Sequence, residues 1–345
     1  MPERSLLVDE ALRCALGIEG GPLAVTTIKG DASSRSYHRI SLEGHEPRTA
    51  VLMELGTDPL RSDEFTNWAA PEYPFLLVQE FLARGGLPVP RIYGARPEHG
   101  WLLIEDLGDT TLEARLDGLA AAEREAWYRR AVDLLARWQS WWREAGPQNP
   151  VAGRVFSRRL MAWEIDHYIE WGLEARLGVR LDPGERTAIA GACAPLLDAI
   201  ERIPVALVHR DFQSRNLMVR GDDLSIIDFQ DALMGPVVYD AVALLNDSYV
   251  DVPPRLEEAM LERLRRAVDP GGDPASWRRW FDLVAVQRKL KDAGRFVFID
   301  RVKGNPSFLP FVPRSLDYVR RSIGRLSEID ALREALERRG GLDAV

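Results

Sequence analysis

Lysine is nearly missing from this chain: its 345 residues include four, Lys29, Lys289, Lys291 and Lys303, against 41 arginines. Cationic chemistry that normally falls to lysine must therefore be carried by arginine or by backbone amides. Positive charge is not in excess either. With 53 acidic and 45 basic residues the net charge is −8, the wrong balance for a nucleic-acid partner. Two cysteines, Cys14 and Cys193, can build neither a thiolate zinc site nor a disulfide framework, and are expected to be reduced and structural. There are five histidines and no H-E-x-x-H among them, and G-x-x-x-x-G-K-[ST] and G-x-S-x-G do not occur. Zinc proteases, P-loop NTPases and ordinary serine hydrolases are thereby disfavoured. No stretch approaches the ~18 uncharged apolar residues of a membrane span. Met1-Pro2-Glu3-Arg4 opens no basic-then-apolar leader, so a cytoplasmic protein without a membrane partner is expected.

What is present is enough apolar sequence, 46%, to bury a large core in roughly two domains. Residues 23–29, 37–42 and 50–55 read as a meander of short strands. The apolar spacing turns helical over 75–84, and strand-like segments follow at 91–95 and 101–104. One helix on a five-strand antiparallel sheet fits residues 20–105. Beyond Asp109 the pattern is helical at 122–144, 157–177, 183–201, 256–268, 276–298 and 312–337, with one β-rich stretch at 205–229. The expected fold class is α+β, a small antiparallel β-rich lobe (1–108) followed by a larger helical lobe (109–345). Residues 54–74 read as an irregular loop. Trp138, Trp141, Trp142, Trp163 and Trp171 recur at helical spacing and are assigned to core packing.

The chemistry concentrates in one run, Val208-His209-Arg210-Asp211-Phe212-Gln213-Ser214-Arg215-Asn216, followed by Leu217-Met218-Val219, a turn at 220–223, and Leu224 through Phe229. Two apolar tripeptides about a polar turn predict a hairpin, whose pairing sets Asn216 beside Asp228. An amide oxygen and a carboxylate are hard ligands suited to Mg²⁺. Asp211 stands where an acceptor hydroxyl would approach and would orient and deprotonate it. His209 and Arg210 are read as structural braces, and Asp240 as a tie for the backbone of the loop. The spacing H-R-D-x-x-x-x-N with a later Asp is that of the protein-kinase-like superfamily.

Further segments fall where such a fold needs them. Gly30, Asp31, Ala32, Ser33, Ser34 and Arg35 occupy the place of a phosphate-cradling loop between the first two strands. Glu105 and Leu107 lie at the junction of the two lobes, where backbone groups would meet a purine. Together with G-D-A-S-x-R-x-Y, L-L-I-E-D-L-G-D, I-D-F-Q-D-A, G-P-x-x-Y-D and Gln287-Arg288-Lys289-Leu290-Lys291, the catalytic run resembles the aminoglycoside phosphotransferase family and its choline and homoserine kinase relatives. It is most similar to the branch of bacterial sugar kinases that phosphorylate N-acetylmuramate or N-acetylglucosamine at C1 in cell-wall recycling. The resemblance spans residues 25–325. It implies a bilobal protein-kinase-like fold, ATP and Mg²⁺ as cofactors, and a small-molecule sugar as substrate.

One feature departs from kinases in general. The third strand, Thr49 to Glu54, has no lysine to hold the nucleotide phosphates, and the lobe contains only Lys29. Arg35 and Arg39 are both available to supply that charge, and Glu80 is a candidate for the helix glutamate. On the acceptor side Gln213, Arg215, Asp231, Asn246 and Arg288 are candidates, with arginine suited to a substrate carboxylate. An aminoglycoside or other amino-alcohol acceptor is the alternative, and a nucleotide-binding pseudokinase a more distant one.

Overall fold

The computed structural model describes residues 2–19, 24–28, 35–56 and 72–343, and of residues 2–5 and 147 the backbone alone. The loop at 30–34, Lys29, and most of the irregular segment at 54–74 lie outside the described residues. Two compact units emerge. One takes the described residues up to Thr110 together with Met218–Gln230, and the other takes Thr111–Leu217 and Asp231–Val345.

The first unit opens with helix α1 (Pro2–Leu16), followed by strands β1 (Ala24–Ile28), β2 (Ser36–Ser41) and β3 (Thr49–Glu54). Helix α2 (Pro74–Arg84) and strands β4 (Ile92–Arg96) and β5 (Trp101–Glu105) complete it, and the sheet order is β1-β2-β3-β5-β4. Every pair is antiparallel, with Leu52 opposite Leu103 and Met53 opposite Leu102. The five strands match the expectation, but the helix packed on them is not the expected one alone. Val8, Ala11 and Leu12 of α1 close over Ile40, Ala50, Leu52 and Leu103 on one face. Val51 and Met53, projecting from the other face by the period of two, are buried as well. The α1 stripe consists of three small or medium apolar residues among charges, too thin a signal to read as a core-facing helix.

The second unit begins with α3 (Leu112–Leu116), α4 (Ala121–Ala145) and α5 (Arg158–His167). α5 continues without a break into a π-helical segment, Tyr168–Ala175. The helix expected over 183–201 is two, α6 (Pro183–Ala192) and α7 (Ala194–Ile200). Pro195 enters the first turn of the second, where its missing N–H ends continuation of the first. Strand β6 (Val205–Val208) precedes the hairpin β7 (Leu217–Arg220) and β8 (Asp223–Ile226), which belongs to the first unit from Met218 onward. β9 (Leu233–Pro236) pairs antiparallel with β6. Helices α8 (Tyr239–Leu245), α9 (Pro254–Val268), α10 (Pro274–Lys303), α11 (Val312–Ile323) and α12 (Asp330–Glu337) complete the unit. The last two were expected as one helix, and they part at Gly324 and a 3-10 turn, Ser327–Ile329.

α10 is the axis of this unit, packing against α5, the π segment, α8, α9 and α11. Its crossing with the π segment is close enough to require glycine. A Cβ on Gly294 would lie 2.9 Å from the Tyr168 Cα, and one on Gly172 3.3 Å from the Gly294 Cα. Trp138 is fully buried, its indole N–H donating to the Leu207 carbonyl at 2.9 Å. Trp163 departs from the core assignment: it is 43% exposed.

Candidate active site

Only two non-glycine residues in the described chain have left-handed backbone, Arg210 (φ +77°) and Asp228 (φ +62°), and each stands in one of the two motif segments. That conformation is unfavourable for a residue with a side chain and persists only where the surroundings hold it. For Arg210 the restraint is electrostatic. The chain leaves the buried strand β6 at His209, whose ring packs against Trp138 and Phe212 at centroid distances of 5.5 and 5.8 Å. His209 Nδ1 accepts the Asp211 N–H at 3.2 Å. Asp240, in the first turn of α8, accepts the N–H groups of both His209 (2.7 Å) and Arg210 (3.1 Å). Burial pushes the Asp240 carboxyl up to about 7, although those two donors oppose the rise. Further along the loop, buried Asp247 accepts from the Ser214 amide at 2.8 Å and from its hydroxyl, as well as from the Tyr249 N–H at 2.9 Å.

This scaffold presents Asp211 with its carboxylate 40% exposed. One oxygen receives Arg288 Nη2 at 3.0 Å, while Arg288 Nη1 donates to the Arg210 carbonyl. Arg288 itself comes from α10, is 1% exposed, and lies over the Tyr239 ring at 5.0 Å. Burial raises the Asp211 carboxyl, but Lys291, Arg288 and Arg210 outweigh it and hold the group well below the usual carboxylate range. Asn216 donates its Nδ2 to the Asp211 carbonyl at 2.8 Å, which leaves the amide oxygen as the free polar atom of that side chain.

The acceptor-side candidates divide. Arg288 is enclosed and committed to the loop, so it holds Asp211 in place of the substrate-facing position that was a candidate for it. Asn246 is likewise buried, donating to Glu257 at 2.7 Å. Arg215 forms a forked pair with Glu113 at 2.7 and 3.0 Å and lies 3.7 Å over the Tyr249 ring. Asp231, 50% exposed, pairs with buried Arg154 at 3.0 Å. Gln213 is half-buried, its backbone N–H turned back to the Asp211 carbonyl at 2.8 Å.

In the first unit the Asp228 segment is held by packing and backbone bonds. Phe229 is fully buried and meets Phe75 at 4.8 Å, and the Ile226 N–H donates to the Pro88 carbonyl at 2.7 Å. One Asp228 oxygen accepts from Gln230 Nε2 at 2.9 Å. Glu105 receives Arg220 at 2.6 Å, and its backbone N–H is taken by the Arg91 carbonyl at 2.8 Å. Leu107 is half-buried just beyond β5. Where a third-strand lysine is absent, Glu54 faces buried His38 at 3.3 Å, and Glu80 is exposed. Both candidate cations have partners. Arg39 is tied to Asp106 at 2.7 and 2.9 Å and to Asp109 at 2.9 Å. Arg35, half-buried, keeps its charge against the cost of burial through Tyr73, Tyr37 and the Asp228 carboxylate. Among the described residues no three His, Cys, Asp or Glu side chains converge as a metal site.

The profile of the phosphotransferase enzyme family matches residues 24–280. The chain belongs to this family. An N-acetylmuramate/N-acetylglucosamine kinase of Pseudomonas aeruginosa is 33% identical to it over 322 residues, 91% of this chain and 88% of that protein. Among solved structures, this phosphotransferase is similar to a choline kinase from Streptococcus pneumoniae, with TM-score 0.61 and 15% identity over 95% of this chain and 99% of that one. It is also similar to an aminoglycoside phosphotransferase in ternary complex with ADP and hygromycin B, with TM-score 0.54 and 16% identity over 95% and 98% of the two chains. Both likenesses speak for the fold, which is the protein-kinase-like one expected. As a member of the family the protein is an enzyme, a phosphotransferase with an alcohol group as acceptor. No helix among the described residues is long and apolar enough to cross a membrane.

Proposed function

We propose that this phosphotransferase moves the γ-phosphoryl group of ATP to a sugar hydroxyl, the anomeric C1 hydroxyl of N-acetylmuramate or N-acetylglucosamine, as a step in cell-wall recycling. The carrying observation is Asp211: a carboxylate left 40% exposed just beyond the buried strand β6, and kept ionised by Lys291, Arg288 and Arg210. An anion so placed accepts a hydrogen bond from the acceptor hydroxyl and fixes the direction of its lone pair. Its low basicity suits a loose transfer, in which the hydroxyl proton leaves late and positioning supplies most of the rate. Arg288 sets the carboxylate's orientation and His209 the backbone beneath it.

Residues 1–108 are proposed to bind the nucleotide and 109–345 to carry acceptor and base. The loop from Gly30 through Ser34, with Glu105 and Leu107, is assigned to the nucleotide on sequence grounds. Arg35 is assigned as the cation replacing the third-strand lysine, because its charge is coupled to the Asp228 carboxylate, a proposed metal ligand. Asn216 and Asp228 are assigned to a Mg²⁺ ion on sequence grounds, because an amide oxygen and a carboxylate are hard donors that suit that ion. Mg²⁺ held by them would neutralise phosphate charge. The acids that would suit a polycationic aminoglycoside, Asp231 and Asp247, are engaged by Arg154 and Ser214.

The test is Asp211→Asn with N-acetylglucosamine and ATP. Turnover is expected to fall by about 10²- to 10⁴-fold, and ³¹P NMR of the wild-type product to show a C1 phosphate. Undiminished turnover would remove Asp211 from its role, and a phosphate at C6 would remove the anomeric assignment.

A further inference from the structure

Arg288 and Arg295 stand seven residues apart on one face of α10, two turns or about 10 Å along its axis. Arg288 ends on Asp211, so Arg295 lies farther along the same face from the proposed base. α5 follows the same course. Its Glu164 faces Arg210 at 3.7 Å and accepts from Gln287 of α10 at 2.7 Å. His167 stands one turn beyond Glu164. The close crossing at Gly172 and Gly294 holds the two helical segments together past that point.

What the two segments present there is an aromatic row with one cation. Trp163 stacks on His167 at 5.5 Å and 23°. Phe298 meets His167 at 5.3 Å and Trp171 at 5.2 Å. Arg295 lies over Phe298 at 4.9 Å. On this helix Arg288 has Asp211 and Lys289 has Asp292. Arg295, half-buried, makes no ion pair among the described residues, and the carboxylate that acts on it from farther off is Asp211. His167 Nε2 is buried without a hydrogen-bond partner. A partly desolvated guanidinium and an unsatisfied imidazole nitrogen, both against Phe298, form an anion site that the protein itself does not fill. Burial, with Arg295 and Lys291, pushes His167 down to about 4, so the ring is neutral near pH 7 and able to present an N–H.

We propose that Arg295 and His167 receive the carboxylate of an acidic amino sugar, while Trp163, Trp171 and Phe298 wall the same side against its ring and acyl groups. The idea rests on the sugar-kinase reading above and adds to it the residue that reads acceptor charge. Flat aromatic faces exclude water beside the ion pair and suit the apolar faces of a sugar, and a guanidinium can bind a carboxylate through two parallel hydrogen bonds.

The experiment compares N-acetylmuramate with N-acetylglucosamine, which lacks the lactyl carboxylate, in the wild type, Arg295→Gln and Arg295→Lys. The ratio of kcat/KM for the acidic over the neutral sugar is expected to fall about 10- to 100-fold in R295Q, mainly through KM. R295K is expected to recover part of it. An unchanged ratio in R295Q overturns the proposal. Calorimetric titration of N-acetylmuramate onto each protein, without turnover, separates this failure from failure of the kinase assignment. Should the wild type phosphorylate neither sugar yet bind N-acetylmuramate through Arg295, the carboxylate site stands and the proposed reaction falls. Should the wild type bind no N-acetylmuramate, the site falls.

Discussion

The two segments that carry the motif residues are held in left-handed backbone by opposite means. Around Arg210 the restraint is charge: Asp240 and Asp247 accept backbone N–H groups, Glu164 faces the Arg210 guanidinium, and Arg288 donates to its carbonyl. Around Asp228 it is packing and backbone pairing, through Phe229 against Phe75 and Ile226 on Pro88. Charge fixes direction at the expense of desolvation, so it belongs where a carboxylate must point one way. Apolar packing fixes position with little control of local charge. Arg35 contributes to the field at Asp228.

Breaking the apolar anchor is expected to have the largest effect on stability. Phe229→Ala empties a fully buried ring site and should cost about 3–5 kcal/mol, read as a shift in urea midpoint. A loss under about 1 kcal/mol would mean that the packing account of this segment is mistaken.

The charged anchor should instead show itself in pH dependence. The folded Asp240 pKa of about 7 lies above an ordinary carboxylate, so folding takes up a proton there. The stability it contributes is fully present below about pH 4 and is lost as pH rises through about 7. Asp240→Asn removes that titration. Urea midpoints of the wild type relative to D240N should therefore decline across this window. Parallel pH profiles would show that Asp240 does not titrate as described.

The smallest effects should separate the two arginines of the first unit. Arg35→Ala is expected to raise the KM for ATP about tenfold, in line with loss of one charged contact. Arg39→Ala should leave that KM within about twofold and cost about 1 kcal/mol of stability, since its ion pairs are partly exposed. The reverse pattern would exchange their assignments.

Much of this is legible in the amino-acid sequence. The strands of the sheet follow from alternation and turn residues, and the hairpin about Gly221 and Asp222 from two apolar tripeptides. What was not legible has particular causes. α1 escaped because its buried stripe is short and interrupted by charge. The helices at 183–201 and 312–337 were read as unbroken because their apolar period continues through Pro195 and Gly324. Arg288 stands in the run Gln287-Arg288-Lys289-Leu290-Lys291, but a cationic side chain at helical spacing does not reveal whether it points inward or out. Arg295 and His167 carried no signal, because nothing local distinguishes them from ordinary helix residues.

The sequence alone pointed to the family and to Asp211, Asn216 and Asp228 as the site candidates, because strand, turn and strand set their spacing within a few residues. It also showed that no third-strand lysine exists, a fact independent of alignment. Tertiary structure decided how the cations are shared out: Arg288 pairs with Asp211 across 77 residues and Arg39 with Asp106 across 67, while Arg295 makes no ion pair among the described residues. Ion pairing and burial depend on which helices and strands cross, and contacts that distant leave no periodic trace in the chain.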